Sequence, residues 1–132
     1  MAIFAALVVS VSSASTRSFS LIGTQSGQGT YFTPGLGACG RSNTDADSIV
    51  AVSTQVFDNF PGAGANPNDN PICGRTLTAT SGDNSVTVTI VDRCVECLAG
   101  DLDFSPSAFI ALATNTSIGR IPITWSLNIE GE

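Results

Sequence analysis

From Ile121 to Glu130 the side chains separate by parity: Ile121, Ile123, Trp125, Leu127 and Ile129 on one, Thr124, Ser126, Asn128 and Glu130 on the other. A period of two sends one face of a strand into a core and the other into water, and no helix satisfies it. The same alternation returns in Val86, Val88 and Ile90 against Thr87 and Thr89, and Ser81-Gly82-Asp83-Asn84 before them has the chemistry of a hairpin turn. Residues 76–80 are therefore expected to pair with residues 85–91. Trp125 becomes a core residue rather than a ligand platform. Residues 49–57 are apolar enough for a fully buried strand, and residues 29–33 read as a short strand entering a Pro34-Gly35 turn. Residues 60–71, with three prolines, two glycines and three asparagines, form an irregular loop. One short helix is expected, capped at Ser105, with Pro106 at its first position and Phe109, Ile110 and Ala113 beneath it. About six short strands with long connections and little helix exclude a doubly wound sheet and favour a closed β-barrel.

Composition narrows the chemistry. Of 132 residues, 42% are apolar and 12% charged, which suits one domain with an ordinary core. Five arginines against eleven acids give a net charge of −6, so the basic footprint needed for nucleic acid is missing. Histidine is absent, which removes Ser-His-Asp and Cys-His nucleophile systems and any imidazole metal site. Carboxylates, hydroxyls, arginine and cysteine must supply whatever chemistry there is. No cofactor is implied.

Residues 3–11 are an apolar run too short to span a bilayer, and the small residues Ser12, Ser13 and Ala14 follow it. Residues 1–14 are thus expected to be a signal peptide cleaved after Ala14, with a disordered spacer to about residue 26 and one domain over residues 27–132. The n-region carries no Arg or Lys, only the amino terminus. A secreted, extracellular chain, free of the membrane after cleavage and monomeric, is the expectation. Export makes two disulfides the natural use of Cys39, Cys73, Cys94 and Cys97. Cys94-Val95-Glu96-Cys97 has zinc-knuckle spacing, yet Cys39 and Cys73 lie far apart with no partners at short range. Three pairings are possible, and Cys39 with Cys73 and Cys94 with Cys97 is the favoured one. Asn115-Thr116-Ser117 is an N-glycosylation sequon at Asn115.

Two carboxylates stand out. Asp92 closes the strand of residues 85–91, and Asp103 lies eleven positions on, just before the helix cap. Acids at neighbouring element ends can share a cleft, and the apolar flanks Leu102 and Phe104 would desolvate Asp103 and raise its pKa toward that of a general acid. Bland roles compete evenly: Asp92 pairing with Arg93 or capping a turn, Asp103 accepting N–H bonds at the helix start.

The stretches Gly29-Thr30-Tyr31-Phe32-Thr33-Pro34-Gly35-Leu36-Gly37-Ala38-Cys39-Gly40, Cys73-Gly74-Arg75, Val88-Thr89-Ile90-Val91-Asp92-Arg93-Cys94 and Leu102-Asp103-Phe104-Ser105-Pro106 resemble the secreted double-psi β-barrel proteins. That superfamily takes in expansins, barwin, lipoprotein A-like domains and family-45 endoglucanases. Single-domain fungal expansin-like proteins, the loosenins, are the nearest likeness. The resemblance covers Gly29 to about Ile129 and implies an all-β fold, a six-stranded double-psi barrel with one or two short helices and an open surface groove. It assigns Asp103 to the groove acid, which in the hydrolases is the catalytic acid, Asp92 to the second groove aspartate, and Thr30 to the threonine hydrogen-bonded near them. Tyr31 would sit beside Thr30 and offer a stacking surface to a sugar, or else be a residue of the barrel rim. Leu102 stands where plant expansins have histidine, and their second, carbohydrate-binding domain is missing.

The implied function is non-hydrolytic binding and loosening of cell-wall polysaccharide, cellulose or another β-glucan or chitin, since expansin-type barrels lack the hydrolases' second carboxylate and an acidic protein repels pectate. A weak family-45-like endoglucanase and a barwin-like cysteine-protease inhibitor, acting through the loop of residues 61–71, or another protein-binding module, are the alternatives.

Overall fold

The computed structural model describes residues 21–129. The expected signal peptide, residues 1–14, lies outside them. Six strands, β1 Gln25–Tyr31, β2 Ile49–Ser53, β3 Thr76–Ser81, β4 Asn84–Cys94, β5 Leu102–Phe104 and β6 Ile121–Leu127, close in the order β1-β5-β2-β4-β3-β6. The pairs β1/β5 and β2/β4 are parallel and the other four antiparallel. Among the described residues two helices, α1 Thr54–Asp58 and α2 Pro106–Ala113, complete the elements, with a 3-10 turn at Pro67–Asp69.

Closure follows from the alternation. Leu77 and Ala79 of β3, Val88 and Ile90 of β4, Leu102 and Phe104 of β5, and Ile121, Ile123 and Trp125 of β6 all point inward and are buried. Each large apolar side chain so enclosed contributes about 1.5–3 kcal/mol. Between β3 and β4 the chain reverses in two residues, and Gly82 at φ +59° takes the left-handed first position that such a tight hairpin demands.

Several sequence expectations are corrected. Residues 49–57 do not form one strand: Ser53 ends β2, and its hydroxyl accepts from the Val56 amide at 3.2 Å, capping α1. β1 begins at Gln25 because residues 25–29 pair with β6, a partner that the short run of residues 29–33 does not reveal. β4 runs past residue 91 to Cys94, carried on by pairing with β2. β6 stops at Leu127, leaving Ile129 exposed. In α2, Ile110 faces solvent while Ala108, Phe109, Leu112 and Ala113 pack inward. Ser105 occupies the N-cap position without capping: its hydroxyl donates to the Asp47 carbonyl and accepts from the Ile49 amide, fastening the start of α2 to β2.

Disulfides join Cys39 to Cys73 and Cys94 to Cys97. The first ties the loop after β1 to the approach to β3; the second closes a tight loop at the end of β4.

Candidate functional site

Strand register assembles the site on the outside of the barrel. Asp103 of β5 is the register partner of Thr30 on β1 and of Ala51 on β2, and Ala51 in turn partners Asp92 on β4. Thr30, Asp103, Ala51 and Asp92 therefore form one row across four adjacent strands. Paired residues point to the same face, so this row looks outward, with small Ala51 as its floor. One intervening strand separates the two aspartates, which puts their backbones roughly 10 Å apart.

Asp92 reaches this face only through a fault in the ladder. The β2/β4 register runs Val50↔Ile90 and then Ala51↔Asp92, so Val91 is an extra residue in β4. Strict alternation from Val88 and Ile90 would aim residue 92 into the core; the bulge at Val91 turns it out. Once outside, Asp92 Oδ1 accepts from the Ala38 and Arg93 amides, both at 2.8 Å. Its role is partly structural, because it holds the loop bearing Cys39 against the barrel. The Arg93 guanidinium pairs with Asp58 at 2.8 Å and lies over the Phe57 ring, leaving only the Arg93 amide on the Asp92 carboxylate.

Asp103 is differently placed. Oδ1 accepts from the Thr30 hydroxyl at 2.9 Å. Burial pushes its pKa above the usual carboxylate value, the Thr30 bond opposes that rise, nearby Glu96 and Asp92 reinforce it, and Arg120 offsets part of it. Leu102 and Phe104 are not the desolvating neighbours, since alternation sends both into the core. The walls of a recess of about 80 Å³ enclose Asp103 instead, formed by Gln28, Thr30, Glu96, Asp101, Arg120 and the Cys94–Cys97 disulfide.

Glu96 and Arg120 escape sequence reasoning. Glu96 sits inside the Cys94–Cys97 loop, whose disulfide forces a turn that lifts it beside Asp103. That closure was the signal available. Arg120 precedes β6 and arrives through the β6/β1 pairing, for which its neighbours give no local sign. Asp101 lines the recess as a brace: its carboxylate accepts from the Gln28 amide at 2.9 Å and the Leu98 amide at 3.0 Å. Behind it, the Gly100 carbonyl accepts from Trp125 Nε1 at 2.9 Å. A Cβ on either Gly27 or Gly100 would collide with the backbone of the other strand or loop.

Tyr31 does not join this site. It alternates with Thr30 and so faces the other way, its ring 4.9 Å from that of Phe109 and its hydroxyl donating to the Thr116 carbonyl at 3.1 Å. Asn115 is exposed in the turn after α2, its side-chain carbonyl accepting from the Ser117 amide at 2.9 Å. Residues 60–71 are tied down: buried Asn70 donates to the Phe57 carbonyl at 2.7 Å and accepts from the Ile72 amide at 3.0 Å. Leu36, Val95 and Leu98 are exposed apolar side chains, the last two on either side of the Glu96-Cys97 pair.

Chemically, the recess presents a carboxyl group that can donate or accept, a carboxylate acceptor in Glu96, a guanidinium donor in Arg120 and a hydroxyl in Thr30. Such a mixture suits hydroxyl groups.

No family model matches the chain. A papain inhibitor of Streptomyces mobaraensis is 30% identical over 90 residues, covering 66% of this chain and 59% of that protein. The matched segments span between 28% and 59% of the length of the curated relatives. Among solved structures, a Streptomyces papain inhibitor overlays with a TM-score of 0.73 at 27% identity, covering 83% of this chain and 97% of that one. An expansin variant of Clavibacter michiganensis in complex with cellohexaose overlays at 0.68 and 26% identity, covering 83% and 52%. These neighbours share the six-stranded double-psi barrel.

Proposed function

We propose that this double-psi β-barrel is an exported, non-hydrolytic polysaccharide-binding protein that grips a neutral β-glucan or chitin chain across Asp103 and weakens the contacts between chains. The observation that carries this reading is the Thr30–Asp103 hydrogen bond within an open recess that also holds Glu96 and Arg120. A carboxyl group with a raised pKa, a hydroxyl and a guanidinium can exchange hydrogen bonds with sugar hydroxyls in place of water. The expansin that binds cellohexaose has the same barrel, which supports a saccharide as the ligand class. Inverting hydrolysis needs a base held opposite the acid, with carboxyl groups roughly 6.5–9.5 Å apart and a water between. Asp92 has one oxygen committed to two backbone amides, a structural role, and Glu96 rides an exposed loop rather than a strand, without the rigid support of such a base.

The test is a pull-down on cellulose and on chitin, with sugar release measured for the wild type and Asp103→Asn. Capture without release, weakened by the substitution, is expected. Equal capture of both proteins defeats the assignment, and release abolished by the substitution makes the protein an endoglucanase instead.

A second reading is favoured by the overlay on nearly the whole of the Streptomyces papain inhibitor: inhibition of a cysteine protease through the anchored loop of residues 61–71. A papain assay with and without that loop's exposed Pro61 and Gly62 replaced separates the two. Export would also expose Asn115 to glycosylation, which a mass shift on deglycosylation would detect.

A further inference from the structure

A second concavity adjoins the Asp103 recess. The outward residues of β1 step from one to the other: Ser26 and Gln28 line a cleft of about 640 Å³, and Gln28 and Thr30 line the recess. Four residue steps along the strand take Ser26 to Thr30, about 13 Å. Register lays the cleft floor, since Ser26 partners Thr124 and Gln28 partners Pro122 on β6, while Thr80 on β3 partners Thr124. The β3–β4 turn supplies its wall through Ser81 and Gly82. Every residue lining the cleft is uncharged, although the chain as a whole carries a net −6.

We infer that this cleft is a second, charge-free saccharide subsite, continuous with the Asp103 recess across Gln28, which takes the further units of one uncharged polysaccharide chain. The inference rests on the polysaccharide reading and extends it. A charged ligand would find no counter-charge here and would lose its hydration. A neutral polyhydroxyl chain keeps its hydrogen bonding through Ser26, Gln28, Thr80 and Thr124, and meets the apolar surface of Pro122 with its C–H faces. The cleft is shallow and open, a shape that leaves room for a chain to run along it. A chain engaging both sites pays the cost of association once, so affinity should rise with oligomer length beyond what the recess alone can hold.

The experiment is titration calorimetry with the trimers and hexamers of the β-1,4-glucan and chitin series, using the wild type, Asp103→Asn, Thr124→Glu and Ser26→Glu. Thr124 and Ser26 are exposed and outward-facing, so unchanged thermal unfolding of at least one variant certifies the fold. Wild type should bind the hexamer at least tenfold more tightly than the trimer. Thr124→Glu and Ser26→Glu should each erase most of that gain, and Thr124 and Thr80 amide resonances should shift with the hexamer alone. Hexamer affinity unchanged in both glutamate variants, with Asp103 still required, overturns the second subsite and leaves the groove standing. Binding indifferent to Asp103, or no binding of either series, overturns the polysaccharide reading and the subsite with it.

Discussion

The two disulfides should contribute very unequally to stability and to binding, in opposite order. Cys39–Cys73 closes a sequence separation of 34 and Cys94–Cys97 one of only 3. In the chain-entropy model the stabilisation grows with the logarithm of loop length, giving about 3.8 kcal/mol for the first and about 1.6 kcal/mol for the second. Replacing both cysteines of a pair by alanine should therefore cost about 2 kcal/mol more at Cys39/Cys73 than at Cys94/Cys97. Only the second pair lines the Asp103 recess and carries Glu96. Cys94→Ala/Cys97→Ala should thus lose polysaccharide capture while remaining the more stable variant. Urea unfolding followed by Trp125 fluorescence, analysed with a common m-value, reads the first quantity, and a pull-down at a urea-free temperature well below both transitions reads the second. Equal losses of stability would refute the loop-length argument. Capture that tracks stability, with the Cys39/Cys73 variant the weaker binder, would refute the placement of Glu96 at the site.

Asp103 sets a pH signature. Its pKa is raised in the folded chain, so its neutral form is favoured by folding: the associated stability is fully present below the unfolded value near 3.9 and is lost as pH rises through the higher folded value. Asp103→Asn should consequently be more stable than wild type at neutral pH, with the difference vanishing in acid; melting temperatures across that range test it, and a difference independent of pH would exclude the linkage. Gly100→Ala should destabilise by about 1–3 kcal/mol or more, because its Cβ meets the Ser26 carbonyl on β1, and chemical denaturation should show it. Asp58→Ala should cost less than about 1 kcal/mol, since its pair with Arg93 is half exposed, and a larger loss would mean that the ion pair does more than the surface average.

The barrel was legible wherever a strand has one wet face. Residues 121–127 and 85–90 announce their inward side chains by parity, and Gly82-Asp83 announces the hairpin. β2 was misjudged because a strand buried on both faces has no alternation, and its apolar run continues without a break into α1, whose start is set by the Ser53 hydroxyl. The contact of Thr30 with Asp103 was legible through the likeness to expansins, and the register of β1 on β5 brings the two side chains together. Of the two roles open to Tyr31, its contacts with Phe109 and Thr116 match the barrel rim, because neighbours on a strand face apart. Asp92 shares the outer face with Asp103 for a reason invisible in the sequence, an unpaired Val91. Arg120 depends on a pairing between segments far apart in the chain, which local pattern does not encode, whereas Glu96 is placed by the short Cys94–Cys97 closure.

The seam that closes the barrel joins its first strand to its last, with Gln25 opposite Trp125 and Gly29 opposite Ile121. A ribosome delivers these partners about a hundred residues apart, so the ring must stay open until β6 has emerged. Such high contact order implies slow folding, on the order of milliseconds to seconds.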